Sequence, residues 1–190
     1  MTLRELVTEN RTRRRFDEQI PVPMDTLRGL VELARLCPST ANSQALKFRL
    51  VNDAETCAKV FPTLGWAAAL PQWGGPKEGE RPSAYIIVLC DQKLAKEKPI
   101  DDGICAQTMM LGAVEAGFGG CILANVRRKE LAEAIGLDAE RYHIDLVLAL
   151  GKPVEKVVLT EVGADGKTAY YRDSEGTHYV PKRSLAELIV

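Results

Sequence analysis

Histidine is almost missing from this chain: His143 and His178 are the only two, and they stand far apart in sequence. That scarcity disfavours a histidine-based catalytic triad, and no cysteine–histidine spacing resembles a zinc site. The five cysteines, Cys37, Cys57, Cys90, Cys105 and Cys121, are odd in number, widely spaced and partly set in apolar runs. They read as reduced core thiols of a cytoplasmic protein rather than a disulfide framework. No apolar run approaches the ~20 residues of a membrane span, and the polar N-terminus does not read as a signal peptide. An excess of one charge is missing too. There are 25 basic and 26 acidic side chains, where a nucleic-acid binder is normally basic overall. There is no internal repeat, low-complexity segment or phosphate-binding P-loop. Gly117, Gly119 and Gly120 do not complete a dinucleotide fingerprint, because Ile122 occupies the third glycine position and the run follows a helix. Any chemistry is therefore left to an organic cofactor.

Against that background the run Asn10-Arg11-Thr12-Arg13-Arg14-Arg15-Phe16 stands out. Guanidinium groups so close together need a counter-anion or open solvent, and they grip phosphate oxygens in a bidentate manner. A second basic pair, Lys182-Arg183, stands near the other end, just before a helix start signalled by the capping-box spacing of Ser184 and Glu187. Alone, the arginine run reads as a solvated helix end. Paired with the second basic site, it points to one shared anion, such as a cofactor phosphate.

The pattern along the chain predicts alternating helices and strands. Thr2 and Glu5 form a capping box ahead of a stripe of Leu3, Leu6 and Val7 that is expected to be buried. Leu27, Leu30, Val31 and Ala34 mark a helix after Pro21-Val22-Pro23. A small, polar loop spans Cys37 to Gln44, a strand covers 48–51, and a helix runs through Cys57 to Phe61. The segment 62–82 carries Trp66, Trp73 and several glycines and prolines. It reads as a lid or excursion with a short helix over 66–70. Residues 84–90 are nearly all apolar and predict a central strand. Residues 99–116 predict a buried helix, 121–124 an extended run, a helix around Leu131, Ala134 and Ile135, and 144–150 a buried strand. Residues 157–162 and 169–171 predict short strands.

Five blocks carry a family likeness in register: Arg11-Thr12-Arg13-Arg14-Arg15-Phe16; Ala34 to Gln44, ending in Asn42-Ser43-Gln44; Glu115 to Cys121; Leu148-Ala149-Leu150-Gly151-Lys152-Pro153; and Val180-Pro181-Lys182-Arg183. Each alone is weak. Together they span almost the whole chain and resemble the FMN-dependent nitroreductase family. The resemblance implies a single α+β domain over 1–190. Its architecture would be a three-layer α/β/α sandwich, with a mostly antiparallel central sheet flanked by helices. It also implies an intertwined homodimer with FMN at the interface. By this likeness Arg11, Thr12 and Arg14 hold the FMN phosphate, and Lys182 and Arg183 close its other side. Arg13 and Arg15 are as well explained by outward or packing roles. Pro38, Ser39, Thr40, Asn42 and Gln44 lie against the flavin, with Ser39 and Thr40 open to the partner chain's site. The backbone near Leu123, Ala124 and Asn125 faces N5, although many members carry glycine where Ala124-Asn125 stand. From 62–82 and its border only Arg81 is offered as a ligand contact.

The implied reaction is a ping-pong transfer of two electrons. NADH or NADPH reduces FMN, and a nitroaromatic, quinone or similar small acceptor then takes the electrons. FMN carries the chemistry, so no catalytic side chain is expected. The rival readings are another flavin reaction on the same fold, such as reductive dehalogenation, metabolite dehydrogenation or flavin breakdown, and a flavin-binding module without turnover. No nucleic-acid or membrane partner is expected.

Overall fold

A computed structural model describes residues 1–95 and 100–190. The helix predicted from Pro99 is described from Asp101 onward, and Pro99 itself lies outside the described residues. In chain order the elements are α1 (Leu3–Glu9), β1 (Phe16–Asp17), α2 (Met24–Arg35), β2 (Leu46–Val51), α3 (Ala54–Val60), β3 (Ala84–Asp91) and α4 (Asp101–Glu115). There follow β4 (Gly119–Leu123), α5 (Arg128–Ala134), β5 (Tyr142–Pro153), β6 (Val157–Glu161), β7 (Tyr171–Arg172), β8 (His178–Lys182) and α6 (Leu185–Leu188). Both predicted capping boxes form, at Thr2–Glu5 and Ser184–Glu187.

The main sheet is antiparallel. β3 lies between β2 and β5, while β1 and β4 pair with different stretches of β5. All eight residues of β3 are buried. Side chains alternate across a strand, so Ala84, Ile86 and Val88 pack toward Leu30 of α2 and Met109 of α4. Tyr85, Ile87 and Leu89 pack toward Val60 of α3 and Leu131 of α5. Helices on both faces explain why the strand is apolar throughout rather than alternating. Three layers result, helices–sheet–helices, as expected. Asp145 is a bulge in β5, since Val88 pairs with Leu146 and Leu89 with Ile144.

The glycines after α4 serve close packing. A Cβ on Gly120 would sit 2.2 Å from the Ala149 carbonyl oxygen and 3.1 Å from Met110 Cε. The first neighbour is rigid backbone. Gly120→Ala is therefore expected to destabilise the protein by about 1–3 kcal/mol, the usual cost of overpacking, and to lower the midpoint of urea unfolding with little change in slope.

Three expectations are corrected. Residues 66–70 are not helical: Ala67 has φ +40° and Leu70 N–H closes a single turn onto the Ala67 carbonyl. The high helix propensity of three alanines yields to packing, because Trp66 rests on Phe61 at 5.8 Å between ring centroids. The α1 stripe is not buried, for Leu3 and Val7 are exposed in the single chain. The C-terminal region forms a second sheet, with β8 between β6 (parallel) and β7 (antiparallel). Within it the strand expected at 169–171 begins at Tyr171.

Candidate functional site

The arginine run leaves α1 at Asn10 and continues beside the edge of β4. Thr12 bridges Gly120 in parallel, and Arg13 N–H donates to the Gly120 carbonyl at 2.8 Å. The run is thereby pinned in extended form, which sends its side chains different ways. Arg15 forms a two-pronged ion pair with Glu80, at 3.0 and 2.6 Å. Arg13 donates to the Glu155 carbonyl at 2.7 Å. Arg11, Thr12 and Arg14 instead line a cavity of about 200 Å³, whose opposite wall is Tyr170, His178 and Lys182. The predicted phosphate residues Arg11, Thr12, Arg14 and Lys182 are thus brought together across a sequence separation of most of the chain.

Glu155 holds the two walls together. Its side chain is fully buried. It accepts a short hydrogen bond from the Arg14 backbone N–H and pairs with the Arg172 guanidinium at 3.1 Å. Cations still predominate: Arg11, Arg14 and Lys182 line the cavity and Arg172 pairs with Glu155, while Glu9 acts on Arg11 from α1. Seven buried side-chain polar atoms lack a hydrogen-bond partner among the described residues. Four of them, Arg11 Nε, Arg14 Nε, Arg172 Nε and His178 Nδ1, belong to this cluster. Buried polar groups are ordinarily paired, and more than half of these exceptions gather in this one cluster. Burial, and then the neighbouring Arg13, push the Arg11 pKa down, although a guanidinium remains charged.

Tyr170 and Arg172 also anchor the 62–82 excursion. Arg14 lies over the Tyr170 ring at 4.9 Å, and the Tyr170 hydroxyl accepts from Ala69 N–H at 3.4 Å. Trp73 stacks on Arg172 at 4.3 Å. Arg81 lies away from the cationic cavity, over Phe61 at 4.7 Å, on the wall of a separate cavity shared with Cys57 and Tyr85. Burial pushes the Cys57 thiol up to about 12 and the Cys121 thiol to about 11. Neither is a thiolate nucleophile near neutral pH.

The other predicted flavin contacts fall elsewhere. Thr40 is fastened to the first residue of α4: its N–H and Oγ1 both donate to the buried Asp101 carboxylate, at 3.0 and 2.8 Å. Pro38, Ser39 and Gln44 border a cavity of about 390 Å³ between α2 and β2. Ala41, Asn42 and Gln44 all have positive φ, near +50°, an uncommon backbone state for such residues. Asn42 and Gln44 are exposed, and the Gln44 amide donates to Asn42 Oδ1 at 3.2 Å. The arginine run is pinned further along α4: Asn10 reaches Gln107 at 3.4 Å, and Gly120, which holds the run, packs beside Met110. Thr40 is tied to Asp101 at the helix start, so about 9 to 13 Å of helix rise separates the two groups. Within one chain they are not united.

Leu123 and Ala124 lie on the same strand edge as the arginine run. Because the Gly120 carbonyl faces Arg13, the peptide groups of Gly120 and Ile122 point away from β5, while those of Leu123 point toward it. Ala124 is exposed, and its N–H has no partner among the described residues. It lies about 13 Å along the strand from Gly120. Arg183 turns away from the cavity, pairing with Glu187 at 3.2 Å. The helix start behind it, α6, has only four residues.

A family model, the nitroreductase family, matches residues 7–152. The chain belongs to the nitroreductase family. A curated relative, YdgI of Bacillus subtilis (strain 168), is named for an NAD(P)H nitroreductase activity. It is 20% identical over 185 residues, an alignment covering 80% of this chain and 88% of that one. A Desulfovibrio desulfuricans protein solved in complex with FMN superposes with a TM-score of 0.70 at 20% identity, covering 100% of this chain and 96% of that one. An FMN-dependent nitroreductase of Clostridium difficile R20291 gives 0.62 at 20% identity, covering 90% and 92%. These likenesses establish the nitroreductase fold. The family model stops at residue 152, so Glu155, Tyr170, Arg172 and His178 lie outside the matched span. Sequence reading missed these four. One signal was present: His178, Val180 and Lys182 alternate on one face of β8. Pro181 inside that strand argued against reading it as a strand.

Proposed function

We propose that this chain is an FMN-dependent oxidoreductase that takes electrons from NADH or NADPH and reduces small acceptors such as nitroaromatics or quinones. The observation that carries the reading is the cationic cavity with its cluster of unpartnered buried donors. A phosphate monoester of charge about −1.5 to −2 supplies the missing acceptors. Arg11 and Arg14 offer forked donors, Thr12 a hydroxyl and Lys182 a mobile ammonium. When bound, FMN supplies two-electron hydride chemistry between nicotinamide and acceptor. The protein's part is to hold the phosphate at this cavity and to present the Ala124 N–H at the β4 edge. It also covers the site with the 62–82 excursion, tied down through Tyr170 and Arg172.

A homodimer completes the site. The Pro38–Gln44 loop is anchored at Asp101, about two to three helical turns from the contacts that α4 makes with the arginine run, and a second copy lays its loop against the same flavin. Exposed Leu3, Val7, Leu36 and Ile104, and the apolar C-terminal residues Leu185, Leu188 and Ile189, offer the surface for that copy. The whole chain, 1–190, then acts as one unit, with NAD(P)H and acceptor using the same pocket in turn.

The visible spectrum of the purified protein tests this. We expect a yellow protein with flavin absorbance, bleached by NADH or NADPH under nitrogen and restored by a nitroaromatic or quinone. A protein that stays colourless after incubation with FMN overturns the cofactor assignment. Bound flavin that neither nicotinamide reduces favours the rival reading, a flavin-binding module without this activity.

A further inference from the structure

His178 lines the cationic cavity beside Tyr170 and Lys182. It is the first residue of β8 and is 1% exposed. Its ring lies 5.1 Å from that of Tyr170. No hydrogen bond to either ring nitrogen is found among the described residues, and Nδ1 is one of the buried unpartnered atoms. A buried imidazole with no partner is costly, and nothing in the packing requires an imidazole rather than a hydrocarbon ring. We propose that His178 is a proton-dependent ligand of the anion held by Arg11, Thr12, Arg14 and Lys182, donating to a phosphate oxygen and taking up a proton as the dianion binds. The proposal rests on the phosphate assignment made under Proposed function and adds to it a residue outside the span matched by the family.

The electrostatic surroundings fix the direction. Without an anion, burial lowers the His178 pKa. Glu155 opposes this, and Arg14 and Arg172, with Arg13 further off, reinforce it. Arg11 and Lys182 line the same cavity, and the Tyr170 ring packs alongside. The imidazole is therefore neutral at pH 7. A dianion placed among these cations cancels the repulsion that keeps it neutral. Its pKa then rises, and by linkage anion affinity strengthens as pH falls through the bound-state value. One unit of rise corresponds to about a tenfold change in affinity.

The phosphate of FMN itself titrates near pH 6, so affinity against pH cannot isolate the imidazole. Imidazole NMR can, because the chain has only two histidines. His143 is half-exposed, with Nδ1 on Asp145 at 2.8 Å, and His143→Gln assigns the remaining resonances. The protein is titrated from pH 5 to 9 alone and with inorganic phosphate, riboflavin or FMN. We expect the His178 midpoint to rise by about one unit or more with FMN, to rise partway with inorganic phosphate, and to stay in place with riboflavin. An unchanged midpoint in both the FMN-bound and the phosphate-saturated protein overturns the proposal. If FMN does not bind but inorganic phosphate still raises the midpoint, the His178 assignment stands and the cofactor reading falls. As a check independent of NMR, His178→Phe keeps a ring against Tyr170. It is expected to reduce the preference for FMN over riboflavin about tenfold, and an unaltered preference counts against the proposal.

Discussion

Glu155→Ala is expected to destabilise the protein by about 3–5 kcal/mol, the usual cost of removing one partner from a buried ion pair. The carboxylate is fully buried and is shared by Arg14 N–H and the Arg172 guanidinium. Its loss strands a backbone donor and a largely buried cation together. It also loosens the clamp between the arginine run and the second sheet. In thermal unfolding the midpoint should fall by about 10 °C or more, since each kcal/mol is worth a few degrees in a chain of this size. Glu155→Gln keeps an acceptor for Arg14 N–H and should lose much less. Because Glu155 repels an anion rather than binding it, neither variant should abolish the preference for FMN over riboflavin. A Glu155→Ala protein within about 1 kcal/mol of the parent would show that the clamp is not a structural one.

That clamp marks the boundary of what could be read from the residues alone. β3 was readable because both its faces are covered, which leaves an apolar run that no exposed strand would carry. The helix α1 was readable from its capping box. The burial of its stripe was not, because Leu3 and Val7 find no cover within one chain. The arginine run and Lys182 could be paired because Arg and Lys announce an anion by their charge. Arg183, beside Lys182 in sequence, was paired with them too, yet it lies past the end of β8 and turns to Glu187 of α6. Tyr170, His178 and Glu155 carry no such announcement. A tyrosine, a lone histidine and a glutamate in an irregular region are ordinary surface residues until β8 pairs with β6 and β7 and folds them against Arg14. The excursion misled for a related reason. Local propensity favoured a helix over 66–70, and the packing of Trp66 on Phe61 together with the distant Tyr170 contact to Ala69 overrode it.

The sharpest functional consequence lies in the two cavity cations that are least involved in the fold. Among the described residues Arg11 makes one side-chain hydrogen bond, to the Val7 carbonyl in the last turn of α1 at 2.7 Å, and Lys182 is exposed at the end of β8. Arg11→Ala combined with Lys182→Ala should therefore change the unfolding midpoint by no more than a few degrees. The effect on cofactor is expected to be much larger. Each charge-assisted hydrogen bond to phosphate contributes about 1.5–3 kcal/mol. Two lost together imply FMN binding weakened by roughly 10² to 10⁴-fold, with the upper end reduced if the two cations grip the same oxygen and couple. Riboflavin, which lacks the phosphate, should bind the parent and the double variant alike. Arg183→Ala serves as the control: its guanidinium is engaged by Glu187 on an exposed four-residue helix, so FMN affinity should stay within about twofold of the parent. Equilibrium dialysis or quenching of flavin fluorescence measures all three constants. Equal losses for FMN and riboflavin would place the phosphate elsewhere. An Arg183→Ala loss as large as that of the double variant would mean that residues 182–183 rearrange on binding to aim both cations into the cavity.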